Sequence, residues 1–242
     1  MTQPAYQSDA YAQSCTTTVT RHSEIGGDSG GVVVAASVFY PSGGGQPGDS
    51  GRLTWDGGAA EVTDTRKDGD DIALILAAGA DLPPVGAAVT MTLDWSRRHR
   101  HMRIHTALHL LSVVIPLPVT GGAITAEKGR LDFDMVDAPE DKQQIEDALN
   151  ALVARDLAIS ESWITDAELA ANPGLVKTMS VRPPTGQGRV RLVRIGSETE
   201  QIDLQPCGGT HVRSTGEIGR LRLGKIEKKG KQNRRVSIHF AD

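Results

Sequence analysis

The chain has 242 residues, enough for one large domain or two smaller ones that each bury a hydrophobic core. Its hydrophobic content of 38% and charged content of 23% are typical of a soluble globular protein, and no run of about 18 apolar residues could span a membrane. The net charge of −4 excludes a generally basic nucleic-acid-binding protein, so any affinity for RNA must come from local basic clusters.

The cysteine count and the N-terminal residues indicate the cellular environment. Two cysteines, Cys15 and Cys207, are too few for a disulfide framework. The sequence Met1-Thr2-Gln3-Pro4 has neither the basic nor the apolar segment of a secretion signal. We therefore expect a cytoplasmic protein with no membrane association, and no obligatory protein partner is evident.

The first part of the chain reads as a series of short strands. After a polar segment of about 30 residues, β-prone runs alternate with glycine and proline clusters up to about residue 94. The predicted strands are residues 15–20, 32–39, 59–65, 71–76 and 87–93. Several short strands with turn signals at this spacing predict a small barrel or a curled sheet.

One segment within this half is unusual. Phe39-Tyr40-Pro41-Ser42 is followed by Gly43-Gly44-Gly45-Gln46. Consecutive glycines let the backbone approach a ligand closely or present amide hydrogens to an anion. The same run is equally typical of a flexible hairpin tip, so the segment alone does not establish a binding site.

The pattern changes near Asp94-Trp95. A charged segment, residues 97–103, leads into a predicted helix whose Leu108, Leu111 and Ile115 share one face and which Pro116 ends. We place a domain boundary here, which gives a β-rich domain of residues 1–94 and an α+β domain of residues 95–242.

The remaining elements complete an α+β fold. Residues 137–155 predict a helix with Pro139 in its first turn. Thr165-Asp166-Ala167-Glu168 is a capping box that opens a short helix, and Asn172-Pro173-Gly174 stops it. Strands are predicted at residues 190–195, 200–204, 217–227 and 235–240. The expected arrangement is helices packed on an antiparallel sheet.

Three histidines and a cysteine predict a metal site. His105 and His109 are four residues apart on the predicted helix and point the same way, so both can contact one ion. Cys207 and His211 follow far downstream, and three imidazoles with one thiolate suit zinc, one ion per chain. A zincin protease would have a glutamate where Thr106 stands, so that mechanism has no base. A closed, purely structural four-ligand site remains an alternative.

Three motifs together resemble a known family. They are the segment Phe39 to Gln46, the run Met102-Arg103-Ile104-His105-Thr106-Ala107-Leu108-His109, and Cys207-Gly208-Gly209-Thr210-His211. In this order they resemble the editing domain of alanyl-tRNA synthetase and its free-standing AlaX relatives, and the likeness runs from about Ser8 to Phe240. The resemblance implies a small β-barrel followed by an α+β editing domain.

The resemblance also implies a reaction and a set of site residues. The expected activity is hydrolysis of tRNA(Ala) mischarged with serine or glycine, at a zinc ion held by His105, His109, Cys207 and His211. Catalytic roles are expected for Gln46 and Thr106. Substrate contacts are expected from Ser37, Gly44, Gly45, Arg103 and Thr210. The family usually has threonine where this chain has Ser37, which keeps the hydroxyl but removes a methyl group from the pocket.

Two basic clusters are candidates for contact with the tRNA acceptor end. The segment 211–242 has nine basic and three acidic residues, a net charge of +6. The second cluster, at the predicted metal-binding helix, is Arg97, Arg98, Arg100 and Arg103. The expected RNA contacts are Arg97, Arg98, Arg100, Lys228, Lys229, Lys231 and Arg234. Lysines at a turn between two strands are well placed to meet phosphates, although such runs are often only solvated surface. Two other functions stay open: a zinc-stapled tRNA-binding module without catalysis, and an editing hydrolase for a different tRNA.

Overall fold

The computed structural model describes residues 1–27, 30–179 and 188–241. Contacts within the chain divide it into two compact units, residues 1–99 and 100–242. The fold is α+β as predicted, because the first unit contains a closed barrel and the second combines antiparallel sheets with helices. The proposed domain boundary at residue 95 stays a prediction. Among the described helices, none has the length and apolar character needed to cross a membrane.

The first unit is built around a six-stranded antiparallel barrel. The strands of the unit are β1 (Gln3–Pro4), β2 (Ser14–Ser23), β3 (Gly31–Val34), β4 (Ala36–Ser37), β5 (Gly51–Trp55), β6 (Gly58–Asp68), β7 (Asp71–Leu76) and β8 (Ala88–Leu93). The barrel closes in the order β2-β3-β7-β6-β5-β8, and β1 pairs with β4 in parallel. Along β8 every second residue, Val89, Met91 and Leu93, is buried in the barrel core. This alternation is the pattern that predicts a half-buried strand.

Two differences between the predicted and the observed strands of this unit have a clear physical reason. Residues 32–39 were expected as one strand, but β3 ends at Val34 and only Ala36–Ser37 continues as β4. Strand β5 was missed because it begins within a glycine-rich run that reads as a turn. Gly51 is required there, since a Cβ atom would lie 2.1 Å from the Thr92 carbonyl oxygen on β8.

A buried ion pair anchors the end of the barrel. Arg98 and Asp49 are 0% and 1% exposed. The Arg98 Nε atom donates to Asp49 Oδ2 at 2.8 Å, and its terminal nitrogens reach the carbonyl oxygens of Ala10 (3.0 Å) and Val38 (2.7 Å). The Tyr40 N–H donates to the same Asp49 oxygen at 2.6 Å. The guanidinium of Arg98 is enclosed and hydrogen-bonded within the protein, so the structure gives no support to the prediction that it contacts RNA.

The second unit contains two antiparallel sheets. Three α-helices are found among the described residues of the chain. The strands are β9 (Val119–Ile124), β10 (Lys128–Asp134), β11 (Ile159–Thr165), β12 (Arg189–Gly196), β13 (Gln201–Pro206), β14 (Leu221–Lys228) and β15 (Asn233–Phe240). The helices are α1 (Trp95–Val114), α2 (Lys142–Ala154) and α3 (Asp166–Ala171). One sheet has the order β14-β15-β10-β9 and the other the order β11-β12-β13.

Helix α1 carries two of the predicted metal ligands and starts earlier than expected. The charged segment 97–103 belongs to the helix itself, and the Asp94 carboxylate accepts a hydrogen bond from the Arg97 N–H at 3.1 Å, as an N-cap does. Further along, a Cβ atom on Gly129 of β10 would lie 2.6 Å from the side chain of Ile104. Glycine at this position lets the helix pack closely on the sheet.

Helix α2 begins five residues later than predicted. Asp141 is its N-cap, with the carboxylate accepting from the Gln144 N–H at 3.0 Å, so Pro139 precedes the helix. Its buried face packs on β14, where the Asn150 side chain exchanges two hydrogen bonds with the backbone of Leu221, each 2.9 Å long. The capping box of α3 is confirmed: Thr165 and Glu168 satisfy each other's backbone N–H groups.

Three strands of the second unit were missed. Strand β9 contains Gly121 and Gly122, which read as a turn, and β11 is largely exposed, so it lacks the apolar alternation that marks a strand. Strand β10 was not predicted either. The strand predicted at residues 217–227 is wrong at its start, because Thr215–Ile218 forms a 3-10 turn and β14 begins only at Leu221.

The ion pair generates a stability prediction. Arg98→Ala leaves the Asp49 carboxylate buried without its cation, so we expect the free energy of unfolding to fall by about 3–5 kcal/mol. Arg100→Ala, on the same helix but with an exposed side chain, should change it by only about 0.5 kcal/mol. Urea unfolding of both variants measures the difference. Equal losses would contradict a special contribution of the pair.

Candidate metal centre

Four predicted ligands meet in the second unit. One donor atom from each of His105, His109, Cys207 and His211 lies within 4.8 Å of the others. The Cys207 Sγ atom is 3.4 Å from His105 Nε2 and 3.2 Å from His211 Nε2. Metal–ligand bonds of about 2.0–2.3 Å fit donors at this spacing around a single ion. The four side chains can therefore hold a metal ion.

The backbone of the cysteine loop is held by an arginine that sequence reasoning missed. The Cys207 N–H donates to the Arg191 carbonyl oxygen at 3.1 Å. The Arg191 guanidinium, only 4% exposed, donates in turn to the carbonyl oxygens of Cys207 (2.9 Å) and Gly209 (2.8 Å) and to the Glu161 carboxylate (2.8 Å). These contacts fix the turn that presents the thiol.

A buried carboxylate orients His109. The Nδ1 atom of His109 lies 3.0 Å from Asp203 Oδ2. A carboxylate only accepts hydrogen bonds, so Nδ1 carries the proton that faces Asp203 and Nε2 is directed to the metal group. Asp203 is held by Lys177 Nζ at 2.5 Å and by Gln205 Nε2 at 2.7 Å. Asp203 was also missed, although it lies four residues before Cys207 on β13.

The hydroxyl of Thr106 orients His211. Thr106 Oγ1 donates its one hydrogen to the Met102 carbonyl oxygen at 2.9 Å, and His211 Nδ1 lies 3.1 Å from Thr106 Oγ1. The imidazole must therefore donate at Nδ1, which leaves Nε2 for a metal ion. The Thr106 side chain is 0% exposed. A catalytic role for Thr106 stays a prediction, and its contacts support a positioning role instead.

The electrostatics of the group favour the protonation states of Cys207 and His211 that bind metal ions. Burial raises the pKa of the Cys207 thiol, but the adjacent His105 and His211 lower it by more. The resulting pKa lies well below its usual value. Burial and the neighbouring His105 lower the pKa of His211 to about 3. Cys207 is thus a thiolate and His211 a neutral imidazole at neutral pH, the forms that bind metal ions.

His109 differs because its carboxylate partner stabilises the cation. Burial lowers the pKa of His109, while Asp203 and the Cys207 thiolate raise it, and the result is a pKa of about 9. Burial acts in the opposite sense on Asp203, but the hydrogen bond from His109 holds the pKa of that carboxyl well below its usual range. A metal ion binding at His109 Nε2 must displace a proton.

Comparisons with known proteins agree with this arrangement. Residues 190–237 match the family model described as "Threonyl and Alanyl tRNA synthetase second additional domain", and residues 6–97 match "tRNA synthetases class II (A)". The alanyl-tRNA editing protein AlaX-M of Methanosarcina mazei is 30% identical over 253 residues, which cover 100% of this chain and 98% of that protein. AlaX-M of Methanosarcina barkeri is 31% identical, with complete coverage of both chains. This chain belongs to the AlaX alanyl-tRNA editing family.

The likeness extends to synthetases over a smaller share of their length. The alanine–tRNA ligase of Pyrobaculum arsenaticum is 34% identical over 205 residues. These cover 81% of this chain but only 22% of the ligase. The AlaX chain thus corresponds to a limited part of the ligase.

The glycine segment of this AlaX chain is a defined turn. Gly43 and Gln46 exchange backbone hydrogen bonds of 3.1 and 3.0 Å. Gly44 and Gly45 between them have φ angles of +57° and +84°, as a type I′ turn requires, and glycine adopts these angles without strain. Both are exposed, whereas the Gln46 side chain is 2% exposed. Their functional roles stay predictions.

Ser37 and the two substrate contacts expected in the second unit are engaged within the protein. The Ser37 hydroxyl is 0% exposed, accepts from the Phe39 N–H at 3.0 Å and donates to the Phe39 carbonyl oxygen at 3.2 Å. Arg103 Nε donates to the Ile218 carbonyl oxygen at 2.9 Å, and Thr210 is 1% exposed. None of these contacts tests a role in substrate binding, which stays a prediction for all three.

The predicted RNA contacts divide into exposed and buried side chains. Lys228, Lys229 and Lys231 are exposed where β14 connects to β15, as the turn prediction requires, and Arg100 is also exposed. Arg234 is 9% exposed and donates to backbone carbonyl oxygens, including that of Asn233 at 3.1 Å. Arg234 occupies the buried side of β15, so the structure gives no support to the prediction that it contacts RNA.

One further predicted RNA contact, Arg97, is intermediate. Its side chain is half-buried, and its Nη1 atom donates to the Gly48 carbonyl oxygen at 2.7 Å. The remaining cationic nitrogens are not accounted for by this bond, so a role in RNA binding stays a prediction.

The donor set generates a prediction of metal content. Cys207→Ala removes the thiolate, the anionic donor of the set, so we expect bound metal to fall well below the one equivalent per chain expected of the unmodified protein. Cys15→Ala, which removes the other cysteine from the barrel, should leave the content unchanged. Elemental analysis of the purified proteins gives both values. Full metal content in Cys207→Ala would exclude the thiolate as a ligand.

Proposed function

We propose that this AlaX chain is a trans-acting hydrolase that deacylates tRNA(Ala) mischarged with serine, with glycyl-tRNA(Ala) as a second substrate. The observation that supports it is the three-histidine, one-cysteine group in a chain of the alanyl-tRNA editing family. We place its activity in the cytoplasm, where aminoacyl-tRNA is used.

Zinc is the metal that we assign to the group. Imidazole and thiolate are the donors that zinc prefers, and hard cations such as magnesium prefer oxygen. The fit rests on the donors themselves: Asp203 and Thr106 turn the Nε2 atoms of His109 and His211 toward the thiolate. His105, His109, Cys207 and His211 would hold the ion. Bound zinc polarises a carbonyl group or activates a water molecule.

The residues around the group have positioning roles in this proposal. Asp203 fixes the ring plane of His109, and Lys177 and Gln205 fix the carboxylate of Asp203. Arg191 fixes the loop that carries Cys207. These side chains keep the donors in one geometry before substrate arrives, which limits the reorganisation needed during the reaction.

Discrimination against alanine requires recognition of a hydroxyl group. Serine is larger than alanine, so a pocket that accepts serine cannot exclude alanine by size. A site that hydrogen-bonds the serine hydroxyl leaves buried polar groups unpaired when alanine binds, which disfavours alanine by roughly 10⁴-fold or more. Ser37, Gln46 and Thr210 remain our candidates for this role, and Gly44, Gly45 and Arg103 for contacts with the rest of the substrate.

The acceptor end of the tRNA needs cationic contacts. Lys228 ends β14, Lys229 and Lys231 follow in its connection to β15, and Arg97 and Arg100 lie on α1. We propose that these side chains contact phosphates. Binding should weaken with added salt, because each phosphate contact releases counterions.

A second candidate function follows from the closed donor set. Four protein ligands can saturate tetrahedral zinc, which is typical of structural sites. A zinc-stapled tRNA-binding module would bind tRNA but would not accelerate ester hydrolysis. The two functions are therefore separated by rate measurements.

The decisive experiment compares four substrates: seryl-, glycyl- and alanyl-tRNA(Ala), and seryl-tRNA(Thr). We expect fast hydrolysis of seryl-tRNA(Ala), hydrolysis of glycyl-tRNA(Ala), and sparing of alanyl-tRNA(Ala). Preferred hydrolysis of seryl-tRNA(Thr) would assign the chain to another tRNA. If no substrate is hydrolysed faster than in buffer while tRNA is bound, the binding-module function is correct.

Ser37 generates a prediction about specificity. If its hydroxyl reads the serine side chain, Ser37→Ala should lower the rate of seryl-tRNA(Ala) hydrolysis by about tenfold, the effect of losing roughly one hydrogen bond. Glycyl-tRNA(Ala) has no hydroxyl to lose and should be affected less. Ser37→Thr keeps the hydroxyl and serves as the control. Equal losses of rate on both substrates would mean that the Ser37 hydroxyl only bonds to the Phe39 backbone and does not recognise the serine side chain.

A further inference from the structure

A tryptophan lies in line with the metal group across the three-stranded sheet. Trp163 on β11 is directly opposite Arg191 on β12. The hydrogen bond from the Cys207 N–H to the Arg191 carbonyl oxygen continues this row beyond the end of β13. Neighbouring strands are about 4.8 Å apart, so the backbones of Trp163 and Cys207 are about 10 Å apart.

The indole and the metal group share one face of this sheet. Residues directly opposite one another on paired strands point to the same side, and residues two apart along a strand do so too. Asp203 and Gln205 alternate with this period up to Cys207, and the Asp203 side chain contacts His109. Trp163, in the same cross-strand row as Cys207, therefore points to the side on which His109 lies.

Hydrogen bonds of Arg191 connect the two positions. Arg191 lies between them in the row, and its guanidinium joins the Glu161 carboxylate of β11 to the carbonyl oxygens of Cys207 and Gly209. A side chain on β11 is thereby held at a fixed distance from the cysteine loop. A ligand bound at both ends would experience little change in their separation.

The indole offers a stacking surface to solvent. Trp163 is 41% exposed, unusual for the largest apolar side chain, and the guanidinium of the exposed Arg189 lies 4.5 Å from its ring centroid. Arg189 is the diagonal neighbour of Trp163 on the same face. Single-stranded RNA bases stack on aromatic rings and on arginine guanidinium planes.

We propose that Trp163 and Arg189 form a binding site for the terminal adenine base of the tRNA acceptor end. The inference rests on the proposed function, which places the aminoacyl ester at the metal group. The ester is joined to the ribose of the terminal adenosine. The adenine base is attached to the same ribose, so it must lie no farther from the metal group than the length of a nucleoside. The backbone of Trp163 is about 10 Å from that of Cys207, and its exposed indole is on the same face, which meets this requirement.

The test pairs a change in the protein with a change in the RNA. Uncharged tRNA(Ala) with its terminal adenosine is compared with the same tRNA lacking that nucleotide. We expect the unmodified protein to bind the complete tRNA roughly 5- to 100-fold more tightly, the effect of stacking one base. Trp163→Ala should remove most of this difference, Arg189→Ala part of it, and Trp163→Phe little, because phenylalanine still stacks.

Val136→Ala is the matched control, since Val136 is 57% exposed in the same unit but lies outside this row. It should keep the full difference between the two tRNAs. If Trp163→Ala also keeps it, the base does not stack on the indole and the inference is overturned. Thermal unfolding shows whether each variant is folded. If Trp163→Ala does not fold, Arg189→Ala decides the matter, because an unchanged difference between the two tRNAs in that variant overturns the inference.

Hydrolysis of seryl-tRNA(Ala) by the unmodified protein is measured in parallel, so the two proposals can fail separately. If the unmodified protein hydrolyses seryl-tRNA(Ala) and Trp163→Ala keeps the full difference in affinity between complete and shortened tRNA, only the stacking site is overturned. Absence of hydrolysis overturns the deacylase function, and the comparison of complete and shortened tRNA still decides whether the base is bound by Trp163 and Arg189.

Discussion

The hydrogen bond between His109 and Asp203 joins the helix that carries two metal donors to the strand that leads to the third. Asp203 is 2% exposed, and a buried carboxylate is costly unless cations and donors surround it. Lys177, Gln205 and His109 supply them, so the carboxylate is held from three directions. Because the His109 ring is fixed by this contact, the position of α1 relative to β13 determines whether four donors can meet.

The first unit uses a buried carboxylate in a similar way. Asp49 pairs with Arg98 and also accepts from the Tyr40 N–H, while the Tyr40 hydroxyl donates to the Gly43 carbonyl oxygen at 2.8 Å. The glycine turn is thus anchored through Tyr40 to the ion pair. Replacing only Asp49 or only Arg98 would leave the other charge buried without a partner. This destabilises a protein more than replacing both charges by apolar side chains does.

Local patterns predicted much of this molecule. The capping box of α3, the alternation along β8 and the four-residue spacing of His105 and His109 depend only on neighbours in sequence, and all agree with the structure. The glycines of β9 concealed a strand, because its stability comes from pairing with β10, which no local pattern encodes. The partnership of Asp203 with His109 likewise joins residues 94 positions apart.

Two buried arginines that were expected to contact RNA show what periodicity adds to charge. Arg234 is in phase with Val236 and Ile238, the buried residues of β15, so alternation places it on the inner face. Arg98 is four residues before Met102, which is fully buried, so helical spacing places it on the inner side of α1. Charge alone does not distinguish these arginines from their exposed neighbours. The two-residue period of a strand and the 3.6-residue period of a helix do distinguish them.

The contacts of two donors differ in strength, and this bears on how a closed set of four could take part in hydrolysis. His109 bonds to a charged carboxylate, whereas His211 bonds to the neutral hydroxyl of Thr106. Charge-assisted hydrogen bonds are roughly twice as strong as neutral ones, so His109 is oriented more firmly than His211. If a reaction requires one of these two imidazoles to yield its place, moving His211 disturbs only a neutral hydrogen bond, while moving His109 would leave the buried Asp203 carboxylate short of a donor.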